Sequence, residues 1–124
     1  MKKILIVDDS PTIRRMVSAS LQSLEEVLFA EASNGLEAIE ILAREHINLM
    51  ILDLNMPDMH GLEVLQFVRG HDRYRGTPII VLTTKYDDES RKTALDRGAS
   101  RYLTKPFDPV TLRDHALSLL ELQK

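Results

Sequence analysis

The run Ile47-Asn48-Leu49-Met50-Ile51-Leu52 ends in Asp53, and three other short apolar runs also end in a reactive polar residue. Lys3-Ile4-Leu5-Ile6-Val7 leads into Asp8-Asp9, Pro78-Ile79-Ile80-Val81-Leu82 into Thr83-Thr84, and Tyr102-Leu103-Thr104 into Lys105-Pro106. Apolar runs of this length, without alternation, read as strands buried on both faces of a parallel sheet. Ligands of open parallel sheets sit just beyond the carboxyl ends of the strands. Three acids, a hydroxyl and a lysine, far apart in sequence, are therefore expected in one crevice.

Between the runs lie helix signals. Ser10 can N-cap a helix with Pro11 at its first position, and Ile13, Val17, Leu21 and Leu24 form its apolar face. Val27-Leu28-Phe29-Ala30 reads as another strand. Asn34-Gly35 turns into a helix expected to face inward with Leu36, Ile39, Leu42 and Ala43. The loop Asn55-Met56-Pro57-Asp58-Met59-His60-Gly61 precedes a helix with Leu62, Leu65 and Val68 inward. The charged segment Asp87 to Arg97 has only Ala94 and Leu95 to hold it to the sheet. Asp108-Pro109 caps a last helix with Leu112, Ala116 and Leu119 inward. Alternating strands and helices make an α/β doubly wound five-stranded parallel sheet, flavodoxin-like, with helices on both faces and right-handed crossovers. The order 2-1-3-4-5 sets Asp8 and Asp9 beside Asp53 and is partly borrowed from known sheets of this class.

The 124 residues suit one domain, 1–124, and the net charge of -3 gives no basic field for nucleic acid. There are no cysteines, hence no disulfide framework or thiolate chemistry. Met-Lys-Lys precedes four apolar residues and two aspartates, too short a stretch for a signal peptide or a membrane span. A cytoplasmic protein with no membrane partner is the expectation.

Three carboxylates at one place repel one another, so either some stay protonated or a cation neutralises them. Magnesium prefers hard oxygen ligands and keeps several waters, which suits acids on separate strand ends. Such sites usually serve a phosphoryl group. Lys105 can pair with a phosphoryl oxygen as a point charge, and Thr83 can donate to another. A carboxylate can serve as nucleophile, and Asp53, ending the most buried central strand, is the choice.

These pieces resemble the receiver domain of two-component response regulators over essentially the whole length. The matching residues are Val7-Asp8-Asp9, Leu52-Asp53-Leu54-Asn55-Met56-Pro57, Gly61, Thr83, Tyr102 and Lys105-Pro106-Phe107. The resemblance implies Asp53 as phosphoryl acceptor, Asp9 and Asp53 as direct magnesium ligands, Asp8 as a ligand through water and Asn55 through its backbone carbonyl. It also implies Thr83 and Tyr102 as a coupled switch, Lys105 as the phosphoryl partner and a cis bond before Pro106. Thr12-Ile13-Arg14-Arg15, Asn55-Met56-Pro57 and Lys105-Pro106-Phe107 are most similar to stand-alone, CheY-like chemotaxis regulators. With no output domain after Lys124, such a chain is expected to act by docking on another protein. The family often has a small residue after Thr83, where this chain has Thr84; Lys85 and Asn55 stand where the family tunes dephosphorylation.

Each residue alone has a plainer reading. Asp8-Asp9 can favour a helix N-terminus, Thr83-Thr84 can be ordinary strand residues, Lys105-Pro106 a turn and Tyr102 a core aromatic. Only the constellation outweighs these. His46, His60, His71 and His115 have no mutual ligand spacing and read as surface residues. An aspartate-nucleophile phosphohydrolase would want a general acid two positions after the nucleophile, where Asn55 stands. A flavodoxin-like electron carrier lacks its hydroxyl- and glycine-rich loop here. A receiver-shaped module independent of phosphorylation would not need the complete acid, Thr and Lys set. The reading is thus a signalling switch, not a turnover enzyme. It would take its phosphoryl group from a partner histidine kinase with magnesium bound, and then change its affinity for a downstream protein such as a flagellar motor switch component. A monomer or weak dimer is expected.

Overall fold

Strands and helices alternate as β1 (Lys2–Val7), α1 (Pro11–Leu21), β2 (Val27–Ala32), α2 (Gly35–Arg44), β3 (Leu49–Leu52), α3 (Gly61–Gly70), β4 (Ile79–Thr83), α4 (Asp88–Asp96), β5 (Arg101–Thr104) and α5 (Pro109–Glu121). The computed structural model describes residues 1–56, 59–85 and 87–121. Pro57 and Asp58 of the expected loop lie outside the described residues, as do Tyr86 and residues 122–124. The five strands are parallel, in the order β2-β1-β3-β4-β5.

The register matters more than the order. Val7 pairs with Leu52, Leu52 with Val81, and Val81 with Tyr102. One row of residues therefore crosses four strands, and the polar residues that follow it emerge along one edge. Side chains alternate between faces along each strand, so the sheet divides the core in two. Leu5, Val7, Met50, Leu52, Ile79 and Val81 pack with α2, α3 and α4. Ile4, Ile6, Leu49, Ile51, Ile80 and Leu82 pack with α1 and α5.

Local chemistry starts the helices. Ser10 Oγ accepts from the Ile13 amide at α1, with Pro11 first in the helix. Asn34 Oδ1 accepts from the Glu37 amide at α2. His60, expected at the surface without a task, caps α3: its Nδ1 accepts from the Leu62 amide. Asp87 Oδ2 accepts from the Ser90 amide at α4.

Several expectations are corrected. Helix α2 buries Gly35, Ala38, Ile41 and Leu42, while Leu36 is 57% exposed and Ala43 is exposed. Gly35 sits close under Met59: a Cβ there would lie 2.6 Å from Met59 Cβ. Helix α3 buries Val64 with Leu65 and Val68, and leaves Leu62 half-buried. Strand β3 starts at Leu49, not Ile47, because Asn48 turns its side chain to the Lys3 amide. Strand β2 runs on to Ala32. Strand β5 is half-buried throughout, because it is an edge strand with one neighbour. Among the described residues of α4, only Ala94 is buried. No described helix is long and apolar enough to cross a membrane.

Candidate functional site

Asp8 follows β1 and Asp53 follows β3, level with each other because Val7 and Leu52 are paired. The Asp53 amide donates to the Val7 carbonyl and the Asp8 amide to the Ala32 carbonyl, so both backbones are held by the sheet. By alternation, Asp8, Asp53 and Lys105 continue the face of Ile6, Ile51 and Leu103. Lys105 Nζ lies 2.7 Å from Asp8 Oδ2 and 3.5 Å from Asp53 Oδ2. Asp8 Oδ1 accepts from the Ser10 amide and Asp53 Oδ1 from the Asn55 amide. Asp9 stands at the mouth, exposed, and one carboxylate oxygen of each of Asp8, Asp9 and Asp53 lies within 4.8 Å of the others.

One lysine cannot neutralise three carboxylates, and the remaining charge is what a dication would balance. The donors are all carboxylate oxygens, the hard ligands magnesium prefers. The residues present therefore fit that ion. Burial pushes the Asp53 carboxyl above its usual range; the Asn55 amide and Lys105 pull it down, and the Asp8 charge raises it again. A carboxylate poorly solvated in this way is the more basic and the better nucleophile.

Thr83 ends β4 on the face of Val81 and is fully buried. Its Oγ1 is the one buried side-chain polar atom without a hydrogen-bond partner among the described residues. An orphaned buried hydroxyl costs about 1–3 kcal/mol and marks a place where an acceptor is wanted. Tyr102 packs on the core under α2, α3 and α4, and its hydroxyl donates to the Lys85 carbonyl. Burial raises the phenol's pKa, with the Asp87 charge adding to it. The Lys105–Pro106 peptide bond is cis. Asn55, Thr84 and Lys85 are exposed at the rim. The floor is tight: a Cβ on Gly61 would meet the Asp53 carbonyl oxygen at 2.4 Å and Leu54 Cα at 2.5 Å.

The profile of the response regulator receiver domain matches residues 4–117. The chain belongs to that family. This receiver is 40% identical over 113 residues to a "Chemotaxis protein CheY homolog" of Campylobacter jejuni, covering 90% of this chain and 87% of the relative. It is 42% identical over 115 residues to "Chemotaxis protein CheY1" of Helicobacter pylori, covering 90% and 91%. The crystal structure of chemotaxis protein CheY4 of Vibrio cholerae superposes with a TM-score of 0.87 at 38% identity, covering 97% of this chain and 99% of that one. Receiver domains bind magnesium at an acidic aspartate cluster, and this receiver has such a cluster.

Two supports of the site were not foreseen from the residues. Arg14 Nη1 donates to the Asp8 carbonyl, and Arg14 Nε to Glu31 Oε1. One signal was available: a cation in the opening turns of a helix opposes the helix dipole, so something else must hold it. Lys105, expected to await a phosphoryl group, is already paired with Asp8. Nothing in the spacing of residues 97 apart shows that contact.

Proposed function

We propose that residues 1–124 work as one receiver unit that takes a phosphoryl group onto Asp53 and changes its affinity for a downstream protein. The observation that carries this reading is the convergence of Asp8, Asp9, Asp53 and Lys105 at the strand ends, with Thr83 ending β4 and its buried hydroxyl without a partner among the described residues. Asp53 attacks the phosphorus of a histidine kinase's phosphohistidine. A carboxylate O–P bond forms, the P–N bond breaks, and the departing imidazole takes up a proton. Asp9 and Asp53 would hold magnesium directly, Asp8 through water and Asn55 through its backbone carbonyl. Magnesium, when bound, supplies charge neutralisation for the crowded acids and the phosphoryl oxygens.

Lys105 then turns from Asp8 to a phosphoryl oxygen. Thr83 Oγ1 donates to another and gains the partner it lacks. That pull reaches the loop at Lys85, to which Tyr102 is bonded, so Tyr102 and the surface of α4, β5 and α5 follow. The likeness to chemotaxis proteins favours a chemotaxis pathway, and a flagellar motor switch component as the downstream partner. The mixed-sign charge favours a protein target over nucleic acid; the receiver is read as a cytoplasmic monomer or weak dimer with no membrane partner.

A small phosphodonor with magnesium should add one phosphoryl group by intact mass, and Asp53→Asn should not accept it. Full labelling of Asp53→Asn, or labelling indifferent to a chelator, sinks the assignment.

A further inference from the structure

The three clustered carboxylates are held in different ways. Asp8 is fixed by the Ser10 amide and Lys105, and Asp53 by the Asn55 amide and Lys105. The Asp9 carboxylate is exposed, and among the described residues no hydrogen bond fixes it. Its aim depends on the backbone that carries it. The Asp8 carbonyl oxygen and the Asp9 Cα share one rigid peptide plane, and one side chain grips that plane. Arg14 Nη1 donates to the Asp8 carbonyl at 2.7 Å, while Arg14 Nε donates to Glu31 Oε1 at 2.8 Å. The arginine side chain is only 16% exposed. Its acceptors belong to different parts of the sheet: Asp8 follows β1, and Glu31 lies in β2. A planar guanidinium can reach both at once; an ammonium has no such fork.

We infer that Arg14 is a positioning residue for the metal site: with Glu31 as its anchor, it locks the Asp8–Asp9 peptide so that the Asp9 carboxylate faces the cation beside Asp53. The inference rests on the reading of the acidic cluster as a magnesium site. Charge alone predicts the opposite sign. A fixed positive group near the cluster repels a dication, so its loss would tighten binding. Positioning predicts that its loss weakens binding, because supports of metal ligands are commonly worth about 10- to 100-fold in affinity.

Calorimetric magnesium titration of wild type, Arg14→Ala, Arg14→Lys and Glu31→Gln tests this, with urea unfolding in the absence of metal as the control for folding. Arg14→Ala should bind magnesium about tenfold more weakly. Arg14→Lys keeps the charge but not the fork and should also weaken, and Glu31→Gln should weaken by less. If Arg14→Ala does not fold, Arg14→Lys and Glu31→Gln carry the test. Binding by Arg14→Ala as tight as wild type or tighter, or an Arg14→Lys indistinguishable from wild type, overturns the role of Arg14 and leaves the metal site standing. No binding by wild type overturns the metal site itself, and the inference with it.

Discussion

The Tyr102 hydroxyl donates to the Lys85 carbonyl oxygen 2.9 Å away, so the aromatic ring of β5 is tethered to the chain two residues beyond Thr83. Thr83 itself is buried, and among the described residues its hydroxyl has no partner. Stability and switching should therefore separate at Thr83. Thr83→Val removes the orphaned hydroxyl and keeps the branch, so it should raise unfolding free energy in urea by about 1 kcal/mol. It should still accept a phosphoryl group, yet lose most of the affinity change for the partner, because nothing remains to be pulled. A Thr83→Val protein with the wild-type affinity ratio between phosphorylated and free forms shows that the signal travels another way.

Asp53 predicts a pH dependence. Its carboxyl, raised chiefly by burial, holds a proton more tightly folded than unfolded. Such a group contributes stability that is present below the ordinary carboxylate range and is lost as pH rises through the raised folded value. Asp53→Asn does not undergo that loss and also relieves repulsion from Asp8 and Asp9. In the absence of metal at neutral pH it should be more stable than wild type, by on the order of 1 kcal/mol. The advantage should shrink as pH falls below the carboxylate range. Urea unfolding across pH measures it; a constant gap, or a less stable Asp53→Asn at neutral pH, contradicts the crowding.

Lys105 should be structural as well as functional. It is 12% exposed and its ammonium pairs with the buried Asp8. Lys105→Met leaves that carboxylate with the Ser10 amide but without its counter-charge, and removal of one partner from a buried pair costs about 3 kcal/mol. Asp8→Asn in the same protein should restore much of the loss. Equal destabilisation by the single and double variants, read by thermal unfolding, would show that the cost does not come from an unpaired Asp8, and a Lys105→Met as stable as wild type that the pair contributes nothing to the fold.

Gly61 should be intolerant for a reason of space. Gly61→Ala must push the Asp53 carbonyl or the Leu54 backbone aside. Overpacking of this kind typically costs about 1–3 kcal/mol. Because the displaced atoms carry Asp53, phosphorylation by a small donor should slow more than stability alone explains. Labelling at the wild-type rate in folded Gly61→Ala would mean that Asp53 is not the acceptor or that the backbone yields harmlessly.

The strand ends were legible because buried parallel strands are unbroken apolar runs, and because strand register then decides which polar residues meet. The meeting of Asp8, Asp9, Asp53 and Lys105 needed the strand order as well, and that order came partly from known sheets of this class. The rotation of α2 was not legible: Leu36 and Ile39 satisfy a helical stripe as well as Ala38 and Ile41 do, and the close approach of Gly35 to Met59 joins residues far apart in sequence. Nor was the grip of Arg14 on Asp8, since a side chain reaching a backbone carbonyl leaves no spacing rule behind.

The alternation that splits the core has a consequence for how this chain can change over time. Thr83 and Tyr102 face α2, α3 and α4, whereas α1 and α5 rest on the opposite side of the sheet. Asp8, Asp53 and Lys105 continue that opposite side, so substitutions such as those at Val17, Leu21, Leu112 or Ala116 bear on the acidic cluster as well as on the melting point. Chemistry and response lie on opposite faces of one sheet, and selection must revise the two halves together.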